Sequence, residues 1–249
     1  MRPPYATILI SLLLISAYFY LSNFTLYSTE KDLLNLSYHI SKSPALVIIY
    51  MFVHTGVFHL FGNLVPLILF SVILESKAGS KNTFLIFILS GISAAILFSI
   101  FEPKYALIGA SAAVAGIMGA ATTRSPKSAF LLLFLTPILI YYLIFPSIAY
   151  VTLSIQSNLR QETINLNSQI SNAIKSGDIQ KADFLNKSLT NVVAESQKID
   201  SGKRFELETP TSILVHLFGA VFGVIYLYIL NKTEFLNGLI EYKKITSKL

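Results

Sequence analysis

Apolar residues in this chain come in runs, not in the alternation of a half-buried strand. A spanning helix needs about 20 mostly apolar residues, and several runs meet that length. The pattern predicts spans over residues 5–21, 48–75, 82–101, 128–151 and 211–230. A further apolar segment, 111–123, is made almost wholly of alanine and glycine and is too short to cross alone at about 1.5 Å per residue. It is read as the fourth of six spans, opening in a recess below the membrane surface. Pro137 and Pro146 fall inside the fifth span and are expected to kink it. Residues 22–44 form a mixed loop, part of which is expected to lie on the membrane surface.

The pattern then changes. Over 152–209 polar and charged residues dominate, and Ile155, Leu159, Leu166, Ile170 and Ile174 recur at helical spacing. So do Leu185, Leu189, Val192, Val193 and Ile199, with the turn signal Ser176-Gly177-Asp178 between the two sets. This predicts an inserted extramembrane helical hairpin at 157–206. The expected organisation is five spans over 1–156, the hairpin, the sixth span within 207–231 and a basic tail over 232–249. The hairpin stripe either buries itself or serves substrate capture, a lid or a dimer contact; the working hypothesis is control of substrate access.

Composition agrees with an all-α polytopic membrane protein: 53% of residues are apolar and 13% charged, with mean hydropathy +0.63, against about 25% charge in average soluble chains. The absence of cysteine excludes disulfides and thiolate metal sites. The first apolar run is long for a signal peptide and no small-residue cleavage site follows it, which favours a span.

Charge sets the expected orientation. With six spans both termini share a side. That side carries nine bases (Arg2, Lys77, Lys81, Arg124, Lys127, Lys232, Lys243, Lys244 and Lys248) and three acids (Glu75, Glu234 and Glu241), which is the whole formal net charge of +6. The positive-inside rule makes the termini cytoplasmic and the hairpin external. The basic balance therefore calls for a lipid bilayer and not for nucleic acid. The triplets beginning at Asn23, Asn35 and Asn186 are glycosylation sequons on the predicted outer side.

Five polar residues stand inside apolar surroundings, where each unpaired polar group is costly. Ser111 opens the small-residue segment just after Gly109, and Ala112, Gly116 and Ala120 leave one helix face nearly free of bulk. His216 shares a small face with Gly219 and Gly223 in the sixth span. Two such stripes pack closely in a membrane and would bring Ser111 to His216. Serine becomes a nucleophile when a base takes its proton. His59 and Asn63 lie four apart on one face of the second span, placed to donate to a developing oxyanion. His54 lies near that helix start, off the shared face, and reads as structural. No acid lies in the fourth or sixth span, so the chemistry is that of a Ser111–His216 dyad. No pair of histidines or acids has metal-ligand spacing.

Three motifs in order resemble those of the rhomboid intramembrane serine proteases. They are Phe52-Val53-His54 with His59-Leu60 and Asn63, then Gly109-Ala110-Ser111-Ala112 running to Gly116-Ile117-Met118-Gly119-Ala120, and then His216-Leu217-Phe218-Gly219 with Gly223. Glu75 at the end of the second span also fits. The resemblance implies a six-transmembrane-helix rhomboid-like bundle and an endopeptidase that cuts single-pass or other membrane-protein substrates in or near their transmembrane segments. It implies Ser111 as nucleophile, His216 as general base, and His59 and Asn63 with the Ser111 N–H as oxyanion donors. No cofactor is implied, and substrate enters beside the fifth span. Against the family's pattern, Ala112 stands where glycine is frequent, Ala115 where an aromatic stacks on the histidine, and the first loop lacks a Trp-Arg pair. The hairpin is not part of the common core. The competing class is a catalytically inactive rhomboid-like protein that binds client helices; loss of the serine or histidine would mark it, and both are present. A transporter would require a charge near the middle of a span, and none is found.

Overall fold

The computed structural model describes residues 3–208 and 212–247. It is helical throughout, in the order α1 (Tyr5–Ser22), α2 (Glu30–Leu36), α3 (Leu46–Ile49), α4 (Val57–Ala78), α5 (Ser80–Phe101), α6 (Ser111–Arg124), α7 (Pro126–Leu139), α8 (Phe145–Lys175), α9 (Ile179–Glu208), α10 (Ile213–Leu230) and α11 (Lys232–Thr246). The predicted all-α bundle is what is found. Five of its helical segments are long and apolar enough to cross a membrane: α1, α4, α5, the run Pro126–Lys175 and α10.

The sixth, α6, has 14 residues and is about 21 Å long, against about 30 Å of hydrocarbon. It survives there because other helices surround it. Its neighbours are α4, α5 and α10, with α7 and α11 at its far end. Ala112, Ala113, Val114, Gly116, Ile117, Ala120 and Ala121 are all buried. Lipid tails are as apolar as leucine, so close backbone packing of small residues supplies the cohesion. Around this pin the buried core includes Ile10 and Leu14 of α1, Leu67, Phe70 and Leu74 of α4, Ile86 and Phe87 of α5 and Leu227 of α10.

Glu75 ties the bundle together at the end away from Ser111. The first turn of α1 leaves amide N–H groups without intrahelical partners. Glu75 accepts from the Ala6 N–H at 2.8 Å, the Thr7 N–H at 2.9 Å and the Thr7 hydroxyl at 2.7 Å. A carboxylate from α4 thus caps another helix at its positive end.

Two expectations are corrected. The predicted second span, 48–75, is not one helix. It divides into α3, a 3-10 turn at Tyr50–Phe52, an extended step and then α4. Gly56 is fully extended, with φ −161° and ψ 178°, and forms an antiparallel bridge with Tyr27. His54 therefore lies on the extended step and not on the helix. The fifth span is also different. A π-helical turn at Ile140–Ile144 lies between Pro137 and Pro146, and the helix runs past the predicted bound of 151 through Pro126–Lys175 for 50 residues. At about 75 Å it far exceeds the membrane, so the first arm of the hairpin is the fifth span continued. The hairpin turn falls where expected, with Gly177 at φ +76°. The basic tail, for which the sequence predicts no element, forms α11. In α11 Gly238 packs on the Thr123 carbonyl, and Arg124 pairs with Glu234. Residues 209–211, at the predicted start of the sixth span, lie outside the described residues.

Candidate active site

Ser111 is the first residue of α6, so its backbone N–H is one of the unpaired donors of a helix start. Gly109, two residues earlier, has φ +100°, a conformation that glycine adopts without strain. Here it also lacks a side chain for a second reason. A Cβ at Gly109 would lie 2.5 Å from Nε2 and 2.7 Å from Cε1 of His59. The turn into the serine is thus built against the edge of the His59 ring. The Gly109 N–H donates to the Tyr50 carbonyl at 2.9 Å and fixes the turn from the other side.

The ring of His59 is held on further sides. Its Nδ1 shares a hydrogen bond with the Thr55 hydroxyl at 3.1 Å. The fully buried ring of His54 meets it edge to face, with centroids 5.0 Å apart. His54 is therefore a wall of the His59 pocket. Asn63 is buried one turn on, and its Nδ2 donates to the His59 carbonyl at 2.9 Å. That bond orients the Asn63 amide along α4.

His216 arrives on α10, which runs parallel to α6. A Cβ at Gly219 would overlap the Ala112 carbonyl oxygen, and one at Gly223 would overlap that of Gly116. The two helices therefore touch backbone to backbone at every fourth residue, in step. Val215, Gly219, Gly223 and Leu227 form the buried stripe of α10, and half-buried His216 stands beside it. This is the small-stripe packing read from the sequence.

Ser111, His216 and Asn63 line one cavity of about 770 Å³. Its wall also includes Gly62 and Pro66 of α4, Ala115 and Met118 of α6, Leu133 of α7, and Leu217 and Ala220 of α10. The lining is mostly apolar with a few convergent polar groups, as is usual for binding sites. No hydrogen bond joins Ser111 to His216 among the described residues; such bonds are commonly loose without substrate. His59 is not on the wall. It sits behind Gly109, within electrostatic reach of His216.

Sequence reading missed two contributors. Thr55, four residues before His59, orients that ring. Pro66, four residues after Gly62, cannot donate to the Gly62 carbonyl, and both residues line the cavity. The spacing alone signals each. Among the described residues no cluster of three or more His, Asp or Glu side chains is placed to hold a metal ion.

The chain is similar to known proteins over part of its length. The sequence model of the Rhomboid domain matches residues 43–173, from before α3 to near the end of α8, so α10 lies outside the match. The chain is 39% identical over 70 residues to RHOMBOID-like protein 6, mitochondrial, of Arabidopsis thaliana, covering 28% of this chain and 23% of that protein. It is 30% identical over 128 residues to Rhomboid-related protein 2 of Mus musculus, covering 47% of this chain and 41% of that protein. The matched stretch is thus less than half the length of each relative. No solved structure matches. An integral membrane bundle with these motifs, matched by the domain model over more than half its length, belongs to the rhomboid family.

Proposed function

We propose that this protein is an intramembrane serine endopeptidase that cleaves membrane-protein substrates in or near their transmembrane segments. The observation that carries the proposal is the shared cavity of Ser111 and His216, set by glycine-to-backbone contact between α6 and α10. In this mechanism His216 takes the Ser111 proton as Oγ attacks the scissile carbonyl. The developing oxyanion accepts from the Ser111 N–H and from the Asn63 amide, while His59, packed behind Gly109, holds the turn that presents that N–H. Collapse of the tetrahedral intermediate expels the amine, which takes the proton from His216, and leaves an acyl-enzyme on Ser111. Water, deprotonated by the same imidazole, then releases the carboxylic product.

Substrate enters between α7 and the rest of the bundle. Apart from Pro126 only Ala129 and Thr136 of α7 are buried, while Phe130, Leu131, Phe134 and Ile138 are exposed. A helix held by so few contacts parts from its neighbours at low cost. The protein lies in the cell membrane with both termini cytoplasmic and the hairpin outside, in keeping with the charge distribution.

The test is labelling by an active-site fluorophosphonate in liposomes. The parent chain labels; Ser111→Ala abolishes the label and His216→Ala slows it by about 100-fold or more, the usual weight of a general base. A folded parent chain that does not label, beside a protease that does, overturns the proposal in favour of client binding.

A further inference from the structure

The hairpin does not bury its apolar stripe only within itself. Leu159, Leu166, Leu185, Val192 and Ile199 form its buried core, and Tyr27, from the connection between α1 and α2, belongs to the same cluster at 1% exposure. Leu26 and Ile155 pack at its edge. The base of the hairpin is fixed there by polar bonds as well. Gln156 Nε2 donates to Asp200 Oδ1 at 3.0 Å, and Lys198 Nζ donates to the Ser22 carbonyl at 3.5 Å.

The segment it grips leads to the candidate site. The Ser28 N–H donates to the Thr55 carbonyl at 3.0 Å and the Val57 N–H to the Leu26 carbonyl at 3.2 Å. The Ser28 hydroxyl donates to the His54 carbonyl at 2.8 Å. These bonds flank the Tyr27–Gly56 bridge. They hold the extended step that presents His54 and Thr55 to the His59 ring, and that ring packs on Gly109. Contact is continuous from the hairpin base, through Tyr27, to the turn before Ser111. The Tyr18 hydroxyl, donating to the Leu26 carbonyl, supports the same segment from α1.

We propose that Ile155, Ile199 and Tyr27 are positioning residues: the hairpin base clamps the Tyr27–Gly56 bridge and so fixes His59 against Gly109. The kinetic half of this inference rests on the protease reading; the structural half does not. It differs from a substrate-capture role in its signature. Among the described residues none of the hairpin or of 22–28 lines the cavity, so loosening the clamp changes the chemical step and not the affinity for small reagents.

The test uses the full chain in liposomes with Ile199→Ser, Ile155→Ala and the conservative Ile199→Val. Amide exchange over 53–60 is followed by mass spectrometry beside fluorophosphonate inactivation. Ile199→Ser is expected to speed exchange over 53–60 by about tenfold, a local opening. Its maximal inactivation rate is expected to fall by about tenfold, since small misplacements of catalytic groups cost up to about 100-fold, with the half-saturating concentration within about twofold. Ile199→Val restores both. Unchanged exchange over 53–60, or an effect confined to the half-saturating concentration, overturns the clamp. If Ile199→Ser loosens exchange throughout the bundle, Ile155→Ala decides by the same two readouts. If the parent chain does not label, the protease reading has failed and exchange alone decides the clamp.

Discussion

Gly219 is the position where one methyl group should do the most damage. In Gly219→Ala the new Cβ would overlap the Ala112 carbonyl oxygen and lie 2.9 Å from its carbon and 3.3 Å from its Cα. The obstruction is helix backbone, which has no rotamer to escape into, so α6 and α10 must part by the order of 1 Å. Overpacking of this kind costs about 1–3 kcal/mol of stability. The larger effect falls on the site. Gly219 is one turn from His216, and Ala112 adjoins Ser111, so the separation acts directly on the distance between the two reactive side chains. A misplacement near 1 Å costs up to about 100-fold in rate. The assay is fluorophosphonate labelling in liposomes, with unfolding in detergent measured in parallel. Ile225→Ala, on the exposed side of α10, is the control and should label like the parent. A Gly219→Ala variant that labels within threefold of the parent at unchanged stability would refute the close approach and with it the origin of the dyad.

Gly109→Ala should abolish labelling while leaving a folded bundle, because it forces a side chain into a left-handed backbone and into His59 at once. Thr55→Val removes the bond to His59 Nδ1 and should slow labelling by about fivefold, the order of one hydrogen bond of about 1 kcal/mol, with little change in unfolding. Glu75→Gln loses the negative charge that caps α1 and part of its three-bond acceptance; unfolding in detergent should show a loss of about 1–3 kcal/mol, far from the site.

Much of this was legible in the sequence because it is local and periodic. The length of an apolar run sets whether a helix crosses, so α1, α5 and α10 fall close to their predicted bounds. The alanine and glycine run at 111–123 announces a helix that packs by backbone contact. Ser176-Gly177-Asp178 marks the hairpin turn, since glycine takes the positive φ there at no steric cost. The placement of Ser111, His216 and Asn63 on one wall follows from the two stripes of small residues and from helical spacing.

What the tertiary structure alone decided is which distant segments meet. The apolar run at 48–56 reads as helix by hydropathy, yet pairing with Leu26–Ser28 draws Val53–Gly56 into an extended step and takes His54 off the helix. Pro137 and Pro146 signal a kink by local rule, but the helix, with a π turn between them, continues into the hairpin. Gly109 shows its need for positive φ only in the fold, where His59 occupies the space of a side chain. Glu75 looks like a charge at a helix end until α1 presents its free N–H groups to it. The stripe of the hairpin is visible in the sequence, but its meeting with Tyr27 is not. Periodicity states how each segment divides its own faces; the partner that each face receives depends on the whole bundle, because a single residue elsewhere satisfies or fills it.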